Sequence, residues 1–355
     1  MRLRSFAILG LVAAAFGCPA NDDGGNADAA DGGTAVTPTS SADAGDTMST
    51  TGMPGGSGSA DGATTGGMVT TTMPGGDAAD SPPVYFDLGM LPDAPMNEMQ
   101  CTKVDFMFVI DNSGSMSSYQ AQLVSNFPNF IGGIQDSLED VSSYHVGVIT
   151  TDAYTYNIAG CNNLSSLVVQ TGGGSSSNAV CGPYADGDNF MTENDDLANT
   201  FSCAAQVGTS GSGTEFPMQA IVEATQEVDG GPGQCNEGFL RDDALLVIVI
   251  ITDEADGPID PKTHSPGDAM SWYDDVVAAR GGIPENIVVM SFVNYMGGPC
   301  PPGSGYDDGQ DIVDFTMMFG KNGFVAGICE ADWGPLFQQG IAVIDNACEN
   351  YIPPG

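Results

Sequence analysis

Apolar runs of strand length alternate with amphipathic stretches from Cys101 to the end of the chain. Most of these runs lack the apolar–polar alternation of a strand with one face in water, so both of their faces are predicted to be buried. The predicted strands are residues 104–110, 145–150, 244–252, 287–292 and 324–328. Buried strands that alternate with helices predict an α/β domain with a mostly parallel central sheet and helices on both faces.

The stretches between the strands carry apolar residues every three or four positions, which predicts amphipathic helices. The predicted helices are residues 119–138, 218–228, 269–279 and 333–348. Two further stretches, 157–213 and 296–311, are rich in Gly with Ser or Pro, and they carry cysteines. We interpret them as surface insertions pinned by disulfides, because long unstructured loops are uncommon inside a compact domain.

The amino terminus has the features of an export signal. Arg2 and Arg4 precede an apolar stretch that is too short to span a membrane, and the segment ends Ala15-Phe16-Gly17-Cys18. This ending resembles a bacterial lipoprotein cleavage site. We therefore predict a signal peptide at 1–18 with Cys18 lipidated, and ordinary secretion with a free Cys18 is the alternative.

Residues 19–97 are mostly Gly, Ala, Ser, Thr, Pro and acids, and they carry no basic residue. Such a segment cannot bury enough apolar surface to offset the entropy of ordering, so we predict a disordered acidic linker. The linker would tether a folded domain at 98–355 to the cell envelope, at the outer membrane or cell surface.

Charge and cysteine content agree with an exported protein. The chain has 46 acidic and 7 basic residues, a formal charge of −39, which argues against nucleic acid and anionic lipid as partners. Of 9 cysteines, those after Cys18 form an even set, which predicts disulfides. Cys101 and Cys348 stand near the two ends of the folded region, and we expect a bridge between them.

The first strand ends in Asp111-Asn112-Ser113-Gly114-Ser115. Alternate residues of such a loop can converge, and one carboxylate with two hydroxyls is an oxygen set that suits a hard divalent cation. Alone, the same residues suit a capped turn equally well. The strand at 244–252 also ends in an acid, Asp253, and the hydroxyl-bearing loop 211–215 lies between the two in sequence.

These three loops together resemble the von Willebrand factor A (vWA) domain with its metal-ion-dependent adhesion site (MIDAS), over about residues 101–352. The resemblance implies a Rossmann-like α/β fold. It implies that Asp111, Ser113 and Ser115 form the first metal loop and that Asp253 is the acid of the third. The family has a threonine in the second loop, which favours Thr214. The Ala-Ile pair that follows stands at the family's spacing from Glu215, so Glu215 remains the alternative ligand.

The function implied by the resemblance is metal-dependent binding or adhesion. Mg²⁺, or Ca²⁺ or Mn²⁺, would be held with one open position, which an Asp or Glu of an extracellular or envelope protein would fill. We expect no catalysis, because the sequence has no nucleophile or phosphate-binding motif. The alternative is a disulfide-stapled structural or interaction module whose metal site is vestigial.

Overall fold

The computed structural model describes residues 101–137, 141–257, 262–301 and 309–355. The predicted signal peptide at 1–18, lipidation at Cys18 and linker at 19–97 lie outside the described residues and stay predictions. Within the described residues, no helix is both long and apolar enough to cross a membrane.

A parallel five-stranded sheet forms the centre of the domain, as the sequence predicts. Its strands are β1 (Lys103–Ile110), β2 (Ser143–Thr150), β3 (Leu245–Ile251), β4 (Ile287–Val293) and β5 (Gly323–Gly327), and they lie in the order β2-β1-β3-β4-β5. The chain leaves β1 to one side for β2 and returns to its other side for β3. The crevice between β1 and β3 is thus the switch point at which such sheets usually bind ligands.

The register brings the carboxyl ends of three strands level. Ile110, the last residue of β1, is opposite Thr150 of β2 and Ile251 of β3. Every residue of β3 and β4 is buried, which explains the continuous apolar runs in the sequence. Loops that leave β1, β2 and β3 therefore start side by side.

Six helices pack against the sheet in the described part of the chain. They are α1 (Ser117–Ser137), α2 (Leu197–Ala205), α3 (Pro217–Thr225), α4 (Ala269–Ala279), α5 (Gln310–Met318) and α6 (Gly334–Glu349). Helix α1 packs against α2 and α6, and α4 packs between α3 and α5. Phe106 and Phe108 of β1 meet the Phe130 ring of α1 edge to face, which anchors the first group of helices on the sheet.

The stretch 157–213 is more ordered than the interpretation as an insertion implied, since it contains α2. It also covers the outer edge of β2: Val168 N–H donates to Val148 O at 2.8 Å, and Val146 and Met191 exchange backbone hydrogen bonds of 2.8 and 2.9 Å. Many of its apolar side chains, including Val168 and Met191, are buried. The segment thus protects an edge strand that would otherwise be open to pairing.

Four disulfides join the described cysteines: Cys101–Cys348, Cys161–Cys235, Cys181–Cys203 and Cys300–Cys329. The first confirms the predicted bridge between the two ends of the domain. The other three hold the insertions, as predicted. Disulfides in this number indicate a protein that folds in an oxidising compartment, outside the cytosol.

A buried ion pair fixes the amino-terminal end of the sheet. Asp105 of β1 is fully buried, and its Oδ1 accepts a 2.8 Å hydrogen bond from Arg241 Nε while Oδ2 accepts one of 2.7 Å from the Arg241 backbone. Burial raises the pKa of Asp105, and the charge of Arg241 opposes that rise. His145, beside this pair, bonds through Nδ1 to Phe239 O at 2.6 Å, so it is a structural residue of the sheet edge.

Candidate metal centre

Asp111 follows β1 directly and is held from both sides of the crevice. Its backbone N–H donates to Ile251 O of β3 at 3.0 Å. Its carboxylate accepts hydrogen bonds of 2.7 Å from Ser113 N–H and 2.6 Å from the Thr252 hydroxyl. The side chain is fully buried. The residue that the sequence proposed as first ligand is therefore oriented by the loops after β1 and β3.

The two serines of the first loop connect Asp111's loop to Asp253. Ser113 Oγ lies 3.3 Å from Ser115 Oγ, and Ser115 Oγ donates to Asp253 Oδ1 at 3.0 Å. Two hydroxyls and two carboxylates from distant parts of the sequence thus converge at the end of the β1–β3 crevice. The sequence proposed these residues as one group, and the structure brings them together.

In the second loop, Glu215 approaches Asp111. Glu215 is 2% exposed, and its Oε2 accepts a hydrogen bond from the Thr151 hydroxyl. Phe216 N–H donates to Thr151 O at 2.7 Å, which turns this part of the loop inward beneath β2. Glu215 Oε1 is buried and has no hydrogen-bond partner among the described residues.

Thr214 occupies a more open position than Glu215. It is partly exposed, its backbone N–H donates to Ser212 Oγ at 2.9 Å, and it lines a neighbouring cleft. The sequence argument favoured Thr214 because of its residue type. The geometry favours Glu215, the alternative that the helix register left open, because its carboxylate is buried and interacts with Asp111.

Burial of the carboxylates dominates the electrostatics of the cluster. Burial raises the pKa of Asp111 to about 6, although the hydrogen bonds from Thr252 and Ser113 oppose the rise and the charge of Asp253 adds to it. Burial also raises the pKa of Glu215 to about 9, and the charge of Asp111 adds to that rise. A cation held between these carboxylates would relieve both effects.

The donor set fits a hard divalent cation. Carboxylates and hydroxyls are the ligands that Mg²⁺ and Ca²⁺ prefer. Glu215 Oε1, which is buried and has no hydrogen-bond partner among the described residues, is an oxygen that could accept a cation. Within the described ranges, no group of three His, Cys, Asp or Glu side chains is placed to hold a metal ion by itself. The candidate site therefore depends on the serine hydroxyls as well as on the acids.

One residue beside the site was not found from the sequence. Asp152 follows β2 as Asp111 follows β1, and it accepts hydrogen bonds of 2.9 Å from Asn112 Nδ2 and 2.7 Å from Ser212 N–H. An acid just beyond the end of a buried strand was the available signal. Asp152 joins the first and second loops, so it fixes their relative positions.

Three acids outside the proposed ligand set have structural roles. Asp256 accepts from Met218 N–H at 3.0 Å and Ser265 N–H at 2.6 Å, so it caps the start of α3 and holds the following loop. Asp186 accepts from Asn194 Nδ2, and Asp195 from Ala185 N–H at 3.0 Å, within turns of the insertion.

Comparisons with known proteins give distant likenesses in structure. No protein-family model matches the chain, and no curated protein matches it. Similar structures include proximal thread matrix protein 1 (PTMP1) from the mussel byssus, with 10% identity and a TM-score of 0.38 over 69% of this chain and 49% of that one. Another structure of PTMP1, with a zinc occupied MIDAS motif, gives 10% identity and a TM-score of 0.35, over 69% of this chain and 49% of that one.

A von Willebrand factor type A from Catenulispora acidiphila is also similar, with 13% identity and a TM-score of 0.33, over 68% of this chain and 42% of that one. The chain thus spans about half the length of these proteins or less. The α/β architecture assigned here rests on the strand order and register described above.

Proposed function

We propose that this chain is an exported, metal-dependent protein-binding domain that acts in adhesion or scaffolding at the cell envelope. The observation that carries the proposal is the chain of contacts through Ser113 and Ser115 between the loop of Asp111 and Asp253 at the β1–β3 crevice, with the buried Glu215 carboxylate interacting with Asp111. The acids Asp111, Glu215 and Asp253 are exposed by 0, 2 and 1%. Buried acids gathered from three loops need a compensating charge, and a divalent cation supplies it.

The proposed ligands are Asp111, Ser113, Ser115, Glu215 and Asp253. Thr252 and Thr151 donate to Asp111 and Glu215 and would keep those carboxylates oriented, as second-layer partners do in metal sites. The bound cation, Mg²⁺ or alternatively Ca²⁺ or Mn²⁺, would supply a positive centre with an open position for a partner's Asp or Glu. The three carboxylates outweigh its double charge, so the attraction for that acid is weaker than at a site whose second loop offers a hydroxyl.

A binding role agrees better with the rest of the domain than a catalytic one. Among the described residues, the groups that donate hydrogen bonds to the Asp111 and Glu215 carboxylates are hydroxyls and a backbone N–H. His145 lies at the other end of β2, bonded to Phe239 O. A catalytic function would need a general base beside a nucleophile. We therefore propose a domain that holds a partner and does not transform it.

Capture of partners from the organism's surface extract tests this function. The full chain, immobilised with Mg²⁺, is expected to retain proteins that EDTA releases. Asp111→Asn should lose them, whereas Asp229→Asn should retain them, because Asp229 is a buried acid bonded to Ser166 away from the site. Retention that ignores both EDTA and Asp111→Asn would contradict metal-dependent binding and favour the disulfide-stapled module with a vestigial site.

The envelope anchor is a separate part of the proposal. The segment Ala15-Phe16-Gly17-Cys18 supports lipidation of Cys18. Radioactive palmitate should label the native chain in cells and should not label Cys18→Ser. Absence of label on the native chain would leave a secreted protein without a lipid anchor.

A further inference from the structure

A cleft with a volume of about 590 Å³ opens beside the proposed metal centre. It shares walls with that centre, since Asn112 adjoins Asp111 and Thr214 adjoins Glu215 in the sequence. Tyr154 and Tyr156, which precede the insertion in the sequence, also line the cleft. A partner whose acid reached the metal centre would place its neighbouring residues in this cleft.

The floor of the cleft offers hydrogen-bond acceptors. Asn112 is fully buried, and its Oδ1 has no hydrogen-bond partner among the described residues, while its Nδ2 donates to Asp152 at 2.9 Å. Asp152 is 9% exposed and carries a carboxylate that can accept more bonds than the two it receives. An unpaired buried acceptor beside an acid calls for a ligand that brings donors.

One wall of the cleft is aromatic. Tyr154 is buried and fixed by a 2.6 Å hydrogen bond from its hydroxyl to Val207 O. The Tyr156 ring lies 5.8 Å from the Tyr154 ring and is 36% exposed. A ring that is packed on one side and open on the other can cover a cation through its π face.

The charges point to the same class of ligand. Asp152 brings a carboxylate to the cleft, and no Lys, Arg or His is among the described residues that line it. Beside it, the proposed centre carries three acids against one divalent cation. Resting on the proposed function, we infer that the cleft receives a Lys or Arg side chain of the partner, next to the acid that reaches the metal. The domain would then recognise an acid and a base close together.

Synthetic peptides test this with the full chain in Mg²⁺. Each peptide carries one Asp and one Lys separated by about one to five Gly or Ser residues, a reach of up to roughly 20 Å. Matched peptides carry acetyl-lysine, which removes the charge, or Asn in place of Asp. Fluorescence polarisation measures their affinity for the native chain, Asp152→Asn, Tyr156→Ala and the control Asp229→Asn.

At one or more spacings, the Lys peptide should bind the native chain and Asp229→Asn about tenfold more tightly than the acetyl-lysine peptide. That difference should shrink to about twofold or less in Asp152→Asn and Tyr156→Ala. Equal binding of Lys and acetyl-lysine peptides at every spacing, or a difference that persists in both variants, would overturn the inference. If the inference about the cleft failed but binding was still lost with EDTA and with the Asn peptide, the metal centre alone would be supported. The proposed metal centre and the proposed cleft can therefore fail separately.

Discussion

The hydroxyl of Ser115 donates a 3.0 Å hydrogen bond to Oδ1 of Asp253, which lies 138 positions further along the chain. The bond closes the crevice between β1 and β3 at its carboxyl end. It joins a loop that resembles the first metal loop of vWA domains to the acid that would be their third. The same geometry places Glu215 beside Asp111, and the predictions below follow from this arrangement.

Substitutions in the second loop distinguish the two candidate ligands, Glu215 and Thr214. Glu215→Gln should weaken Mg²⁺ binding by more than about tenfold, because a coordinating carboxylate is lost. Thr214→Val should change it by less than about threefold, since Thr214 lies in the cleft wall. Calorimetric titration of the full chain measures both. A larger loss for Thr214→Val would restore the threonine favoured by the sequence.

The metal-free domain should become less stable as the pH rises. The native state holds the protons of Asp111 and Glu215 more tightly than the unfolded chain, because burial raises the pKa of each to about 6 and about 9. The loss of folding stability caused by these two groups is absent below pH of about 4. It grows as the unfolded chain releases its protons and reaches its full size above pH of about 9. The melting temperature in EDTA should therefore be higher near pH 5 than near pH 9.

Glu215→Gln should flatten that pH dependence and raise the melting temperature of the metal-free domain at pH 8. A gain of about 1 kcal/mol corresponds to roughly 2–4 °C in a domain of this size. Mg²⁺ should stabilise the native chain most at high pH, because binding requires the carboxylates to be ionised. A slope that is the same in native and Glu215→Gln chains would show that other groups cause it.

Arg241→Ala should destabilise the domain without weakening the metal centre. It leaves Asp105 buried without its charged partner, which costs about 3 kcal/mol or more. The double variant Asp105→Asn/Arg241→Ala should recover part of that loss, since no buried charge remains. Urea unfolding measures the stability, and Mg²⁺ affinity at low temperature is the control. Loss of Mg²⁺ affinity in the folded variant would mean that the two ends of the sheet are coupled.

The loss of stability on removal of a disulfide should depend on the length of the loop that the disulfide closes. Cys101–Cys348 encloses 247 residues by sequence separation and Cys181–Cys203 encloses 22. The entropy of the unfolded chain predicts losses of about 5 and about 3 kcal/mol for the paired Cys→Ser variants. Urea unfolding of each variant in EDTA checks the order. A greater loss for the shorter loop would mean that the insertion, by covering β2, contributes more than its cross-link.

The sheet could be predicted from the sequence because its strands are continuous apolar runs such as Leu245–Ile251. The helices α2 and α5 were missed because each has 9 residues and begins in or beside a stretch rich in Gly. Helices this short depend on tertiary packing more than on their own propensity. Phe201 of α2, for instance, stacks on Phe127 of α1 with ring centroids 3.6 Å apart.

Asp111, the serines Ser113 and Ser115, and Asp253 could be proposed from the sequence, because these acids and hydroxyls come after β1 and β3. The choice between Thr214 and Glu215 could not be made from the sequence. It depends on the hydrogen bond from Phe216 N–H to Thr151 O, between residues far apart in the chain. Residue type favours the threonine, whereas burial favours the glutamate. The role of Asp152 was missed for the same reason, since its partners lie on the loops after β1 and before α3.

Titration of the full chain with Mg²⁺, by calorimetry after EDTA treatment, tests whether the loops after β1 and β3 hold a cation. We expect a single site whose heat is lost in Asp111→Asn and in Ser113→Ala/Ser115→Ala, and is retained in Asp229→Asn. Parallel titrations with Mn²⁺, Ca²⁺ and Zn²⁺ would rank the metals. Absence of binding by the native chain, or binding unchanged by Asp111→Asn, would contradict the proposed metal centre.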